Sequence, residues 1–400
     1  MHLYAYLRAP ATIRDRYAHK CGEEGLWLGG ATPRIPGPGG SRSRTLVAMT
    51  APLLDRLVDW DVAAATARRL ARPGPEVDAD EARRVVEQLR ACAVAARPHV
   101  EAITGLPAPD DGALVLVVDR PGWVQANLET LRAMLVPVVD KLASRRPHQP
   151  SPLVAAVGGK VTGAEAGGLL AFLSGKVLGQ YDIAPGGTPR LLLVAPNVVQ
   201  AEREMGVEPD DFRLWVCLHE ETHRVQFTAV PWLRQHLLDQ AQSLATDLAP
   251  DPTALLGQLE DIARRLPGVL RGEGGSLLDL LTTPEQREQV AKVTAVMSLL
   301  EGHADVVMDE VGPSVVPTVA TIRARFTERR AGANAADRLL RRLLGLEDKM
   351  RQYKDGARFV RGVVDQVGMV GFNAVWTSPE TLPAPQEIED PQAWVRRVHG

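Results

Sequence analysis

Apolar residues recur at three- and four-residue steps through most of the chain, and Gly and Pro cut that pattern into a succession of helices. Leu53–Ala71 (LLDRLVDWDVAAATARRLA) is the first, ended by Arg72-Pro-Gly-Pro75, and Asp78–Gly105 is the second, with Arg on its wet face. Gly122–Leu142 follows, bent near Pro137. Thr162–Gln180 carries Gly163, Gly167, Ala171, Gly175 and Gly179 at four-residue steps, a ridge of small residues that lets another helix approach closely. Asp211–Val230 runs without Gly or Pro until Pro231 stops it, with Asp210 and Asp211 at its start, where carboxylates suit a cap and the helix dipole. Leu237–Thr283 reads as one or two helices with a Gly-rich turn at residues 272–275, and Pro284–Val311, Ala320–Gly345 and Glu347–Val367 as further helices. Two short β-branched or aliphatic runs, Ala113–Asp119 (ALVLVVD) and Arg190–Pro196 (RLLLVAP), break the helical rhythm. The pattern predicts an α+β fold, predominantly helical, with a small sheet beside the helix of residues 211–230. Arg190–Pro196 is expected to be an edge strand, able to pair with an extended peptide.

Residues 1–50 read differently. Gly29–Ser43 (GGATPRIPGPGGSRS) is too poor in apolar residues to bury a core, so residues 1–50 are expected to form a disordered extension and 51–400 the folded domain. Within it, residues 51–200 form a helical part with the edge strand, and residues 201–400 a helical part carrying the site described below. The Pro-rich end, Thr377–Gly400, is expected to pack onto the body through Trp394.

Composition narrows the partners. The chain has 46 Lys and Arg against 49 Asp and Glu, a net charge of −3 with no basic excess, which argues against nucleic acid. Cys21, Cys92 and Cys217 are an odd, scattered set, as expected of free thiols in a reducing compartment. No apolar run reaches the roughly 18 residues of a membrane span, and MHLYAYLRAP lacks the form of a signal peptide. The expected location is the cytoplasm.

The chemistry concentrates in His219-Glu220-Glu221-Thr222-His223, an H-E-x-x-H pattern. Residues four apart on a helix share a face, so both imidazoles can converge on one zinc ion, whose nitrogen ligands stand at about 2.0–2.1 Å. Glu220 then reaches the water such an ion activates and serves as general base. With nine His in 400 residues, chance produces this pattern in roughly one chain in a hundred, so its apolar, uninterrupted context matters.

A catalytic zinc needs a third protein ligand. Glu301 is the main candidate, because the apolar run Val296–Leu300 implies burial and a buried carboxylate needs a partner. Asp305, four residues on, shares its face and is expected to accept the free N–H of a ligand imidazole. His303 is the alternative ligand, although it points roughly 200° away from Glu301 round the helix. Tyr353 is a candidate oxyanion donor and Tyr181 a second, each with packing at a helix interface as the plainer reading.

HEETHRVQFTAVPWL and SLLEGHADVVMDEVG together resemble a bacterial family of zincin-like proteins labelled zinc-dependent metalloproteases or hydrolases, some of them associated with deazaflavin coenzyme biosynthesis. VDWDVAAATARRL, DRPGWVQANL, LGQYD and DPQAWVRRVHG extend the resemblance over about Ala51–Gly400. The spacing of Glu301 and Asp305 is similar to the Glu-zincin (gluzincin) pattern. The resemblance implies a zincin-like metalloprotease fold, His219, His223 and Glu301 as ligands of Zn2+, and Glu220 as base. The chain departs from the best-known members in the long gap between His223 and Glu301. The expected function is a zinc-dependent metallohydrolase, foremost a peptidase, acting on a peptide or other amide. The alternative is a catalytically silent, zinc-stabilised protein that binds a peptide or partner in the same cleft.

Overall fold

The structure is a computed structural model, and it describes residues 53–110, 112–145, 152–183, 188–247, 283–331 and 346–400. The expectations for residues 1–50, for the turn at 272–275 and for residues 332–345 lie outside the described residues.

The first predicted helix is two, α1 (Leu53–Leu57) and α2 (Trp60–Leu70), because Asp59 turns the chain and caps α2 by accepting from the Val62 amide at 3.0 Å. Asp78 caps α3 (Ala79–Thr104), which ends on Gly105 in the left-handed conformation. Then come β1 (Leu114–Val118), α4 (Arg120–Arg145), α5 (Pro152–Ser174), β2 (Gly179–Asp182) and β3 (Arg190–Val194). The helices α6 (Ala195–Met205), α7 (Pro209–Ala229) and α8 (Pro231–Asp247) follow. Beyond the undescribed stretch stand α9 (Pro284–Glu310), α10 (Val319–Ala331), α11 (Leu346–Phe372), α12 (Pro385–Glu389) and α13 (Pro391–His399).

The sheet corrects one expectation. Its order is β1-β3-β2, with β1 parallel and β2 antiparallel to β3, so Arg190–Val194 is the central strand and not an edge. The run of Leu191 to Val194 explains why: Leu191 and Leu193 enter the core shared with α3 and α7, whereas Leu192 and Val194 enter the core shared with α2, α4 and α5. A strand buried on both faces reads as a continuous apolar run. The edge beside the site is β2, whose residues fall partly inside the stretch predicted as one long helix. α5 stops at Ser174, and Gly179 to Asp182 extend instead, paired with Leu193 to Arg190. Trp123 Nε1 donates to Gln180 Oε1 at 2.8 Å, and Arg190 holds the buried Asp182 carboxylate at 2.6 Å, fastening β2 in place.

The glycine ridge does what small residues on a helix face allow. Cβ atoms at Gly163 and Gly167 would lie 2.3 Å from the carbonyl oxygens of Asp59 and Ala63, so α5 meets α2 backbone to backbone. A second seam matters more for the site. A Cβ at Gly302 would stand 2.2 Å from the Gly356 carbonyl carbon, and one at Gly356 would stand 2.0 Å from the Ser298 carbonyl oxygen. Helices α9 and α11 therefore cross in direct contact at the residue following Glu301. Around that crossing Leu299, Leu300, Phe359, Val360 and Val363 are buried together with Trp394, which docks the C-terminal segment as expected. Each such side chain contributes about 1.5–3 kcal/mol on leaving water.

The seam yields a stability prediction. Gly302→Ala should lower the free energy of unfolding by roughly 1–3 kcal/mol, because neighbouring backbone cannot yield cheaply. Gly158→Ala, on α5 with nothing within 4 Å of the added carbon, should instead raise it by up to ~1 kcal/mol. Denaturant titration of the two variants should show opposite signs; equal signs would contradict the crossing.

Candidate metal centre

Helix α7 places the site. It starts with Pro209 at its first turn, a position where the missing amide hydrogen costs nothing. Asp210 and Asp211 sit in that first turn, but the capping position belongs to Glu208, and the Asp211 carboxylate instead accepts from the Thr318 amide at 2.8 Å and ties in the start of α10. Phe212, Trp215, Val216 and Leu218 are buried in the core shared with α3. Glu221 is fully buried on this inner side and pairs with Arg97 of α3 at 2.9 Å, so the second acid of the motif is a structural anchor. Cys217 is also buried there, directing its thiol toward the Leu89 carbonyl. With 3.6 residues per turn, His219 and His223 lie on the side of α7 away from Glu221 and Cys217, and Glu220 flanks them.

The three candidate ligands meet although 78 positions separate the second from the third. His219 Nε2 lies 3.5 Å from Glu301 Oε2, His223 Nε2 lies 3.6 Å from Glu301 Oε1, and the two Nε2 atoms are 3.2 Å apart. Among the described residues, these form the one group of three or more His, Cys, Asp or Glu whose donor atoms all lie within 4.8 Å of one another. Ligands at about 2.0–2.1 Å in a tetrahedron stand roughly 3.3 Å from each other, so the donor set fits zinc in both spacing and chemistry. The side chains of His219, His223 and Glu301 are 21%, 13% and 27% exposed, which leaves a face open to the cleft.

That cleft, of about 270 Å³, is walled by Gly179, Tyr181, Phe227, Leu237, Met297 and Leu300. A hollow beside His236 is larger, at about 320 Å³, so it is the chemistry rather than size that marks the site. Gly179 approaches Glu220 so closely that a Cβ there would stand 2.5 Å from the glutamate Cγ. Strand β2 thus lies directly over the candidate base. Tyr181, two residues along, stacks on Phe227 of α7 at 5.8 Å. In the sequence Gly179 is the last residue of the small-residue ridge, and nothing there separates a strand glycine from a helical one.

Two expectations are corrected here. Asp305 does not take an imidazole N–H. Arg323 of α10 donates to its carboxylate at 3.1 Å, and this charge pairing draws it away from the rings. His219 Nδ1 faces Met308 Sδ at 3.1 Å instead, and His223 Nδ1 faces Gln226 Oε1 at 3.0 Å. His303 is not beside the other ligands. It is fully buried, its Nδ1 lies 3.0 Å from Gln226 Nε2, and its ring packs against Phe372 and Trp376 at 5.3 and 5.5 Å. Its position two residues after Glu301 sends it to another side of α9. Its Nε2 has no hydrogen-bond partner among the described residues, an arrangement that costs about 1–3 kcal/mol. The side chain of Tyr353 lies outside the described residues. Gln226 and Met308 were not singled out by the sequence, since neither type signals its role without a tertiary partner.

Burial governs the protonation of the cluster. Burial disfavours a charged His219, but the hydrogen bond and charge of Glu301, with Glu220 and Asp305, override it and push its pKa up to about 9. Burial raises Glu220 to about 7, helped by Glu301 and opposed by His219. Burial lowers His223, and lowers His303 to about 3, which keeps both neutral near pH 7.

These shifts set a pH dependence for the metal-free protein. His219 binds its proton more tightly folded, at about 9, than at its ordinary 6.5, so its contribution is complete below 6.5 and disappears as pH rises through 9. The Glu220 contribution is already gone above about 7, and those of His223 and His303 fall below 6.5. With chelator present, the unfolding midpoint of the wild type relative to His219→Gln should therefore drop between pH 7 and 9.5. A constant difference across that range would contradict the pairing of His219 with Glu301.

A crystal structure of a protein from Chloroflexus aurantiacus, described there as a candidate hydrolase with a novel fold, is similar with a TM-score of 0.62 and 30% identity, covering 86% of this chain and 99% of that one. No curated protein matches the chain. No described helix is long and apolar enough to cross a membrane. The profile of the zincin-like metallopeptidases matches residues 58–395, nearly the whole described chain, and the protein belongs to that family.

Proposed function

We propose that this chain hydrolyses amide bonds, with peptides as the substrate class, in the cleft above His219, Glu220, His223 and Glu301. The observation that carries the reading is Glu220. It stands one residue from a candidate ligand, in the cleft wall, with a pKa near 7. A purely structural metal site has no use for a carboxylate so placed, whereas a general base is most effective when its pKa lies near the working pH.

His219, His223 and Glu301 would hold a zinc ion, which when bound supplies Lewis acidity to a carbonyl and to water. Glu220 accepts the proton of the attacking water at its carboxylate and passes it to the departing amine nitrogen. Burial against Gly179 restricts that carboxylate, so little reorientation is needed between the two transfers. The peptide preference rests on β2. It is the sheet edge lining the cleft, and an extended substrate laid along it passes over Glu220. Phe227, Leu237, Met297 and Leu300 offer apolar surface for its side chains. The chain has no basic excess to suggest nucleic acid, and no helix among the described residues is long and apolar enough to cross a membrane. Cytoplasmic location remains part of this proposal, resting on the scattered cysteines.

Glu220→Gln tests the reading against the binding-protein alternative. Zinc content should stay at the wild-type level while cleavage of a peptide library falls by about 10²–10⁴-fold. Undiminished turnover by the zinc-loaded variant would overturn Glu220 as base. Absence of cleavage by the zinc-loaded wild type, across peptides and simple amides alike, would favour the silent binding protein.

A further inference from the structure

Two atoms that accept hydrogen bonds fix a third. Gln226 Nε2 lies 2.9 Å from the Leu300 carbonyl oxygen, which can only accept, so the amide nitrogen must point there. The same nitrogen lies 3.0 Å from His303 Nδ1, which takes its second hydrogen and leaves the His303 proton on Nε2. With both hydrogens of the amide committed across to α9, the Gln226 oxygen is turned toward His223 Nδ1 at 3.0 Å. An amide oxygen cannot donate, so His223 carries its proton on Nδ1, and its Nε2 presents a lone pair toward Glu301 and His219.

We propose that Gln226 is a positioning residue, held by Leu300 and His303, that locks His223 in the one tautomer able to ligate a metal through Nε2. The proposal rests on the reading of His219, His223 and Glu301 as a metal site. It also gives His303 a role: its burial leaves Nε2 without a hydrogen-bond partner among the described residues, while Nδ1 keeps the amide from flipping. The device couples the two helices as well. Gln226 belongs to the helix of the two histidines, and Leu300 immediately precedes Glu301, so the bond that orients one ligand also fixes the backbone beside another. A partner of this kind typically changes metal affinity by about 10–100-fold.

The test reads the tautomer directly. In chelator-treated full-length protein labelled with ¹⁵N-histidine, long-range ¹H–¹⁵N correlations at pH 8, assigned against a His223→Gln control, should show His223 protonated on Nδ1 and bare on Nε2. A proton on Nε2, or fast averaging between the tautomers, would overturn the proposal. Gln226→Leu should abolish the lock and weaken zinc binding by about 10–100-fold in chelator competition. Gln226→Glu, which keeps an acceptor for Nδ1 but loses both donors to α9, should recover only part of that loss. Zinc affinity unchanged in the leucine variant would also overturn it, and should that variant not fold, the wild-type spectrum decides alone. An Nδ1-protonated His223 in a protein that takes up no zinc would leave this inference standing and refute the metal reading. Zinc uptake with an Nε2-protonated His223 would do the reverse.

Discussion

The whole site depends on one backbone contact between helices. Glu301 reaches two imidazoles on α7 only because α9 is pressed close enough, and α9 is pressed by its crossing with α11 at Gly302 and Gly356. The local sequence Glu-Gly-His thus divides three tasks among three consecutive positions. Glu301 faces the cleft, Gly302 admits the neighbouring backbone, and His303 turns inward to hold Gln226. Any side chain at the middle position would push the first and third out of place together.

The cost of this arrangement is electrostatic. Two carboxylates and two imidazoles share a partly buried pocket, and the metal-free protein relieves the conflict by keeping a proton on His219 and part of one on Glu220. A divalent cation offers the same relief without protons. The cluster is therefore arranged for a positive charge, and β2 covers it on the Glu220 side. The sheet serves both core and site: β3 is buried in the cores on its two faces, and β2, paired to it, holds Gly179 over Glu220, with Asp182 and Gln180 pinned by Arg190 and Trp123.

Helical periodicity made most of the fold legible, because nearly every buried face here belongs to a helix, and caps such as Asp78 and Thr283 stand where the pattern begins. His219, Glu220 and His223 were legible for the same reason, since spacing along one helix fixes their relative directions. Glu301 could be reached through the apolar run before it. What depends on pairing between elements was not legible. The continuous apolar run at Leu191–Val194 suits a strand buried on both faces, but Leu114–Val118 is just as apolar and lies at an edge, so the neighbours decide. Gly179 continues a helical rhythm in sequence although the helix has ended. Asp305 has the spacing of a partner for the ligands, but a guanidinium from α10 competes for it. Gln226 gives no signal, because its function is defined wholly by atoms on another helix.

The central claim is that two imidazoles and a distant carboxylate grip one divalent cation. Anomalous diffraction at the zinc edge from crystals of the zinc-loaded protein tests it most directly. The account predicts one strong peak at about 2.0–2.2 Å from His219 Nε2, His223 Nε2 and a Glu301 oxygen. Zinc bound elsewhere, or bound to the histidines with Glu301 turned away, would contradict it.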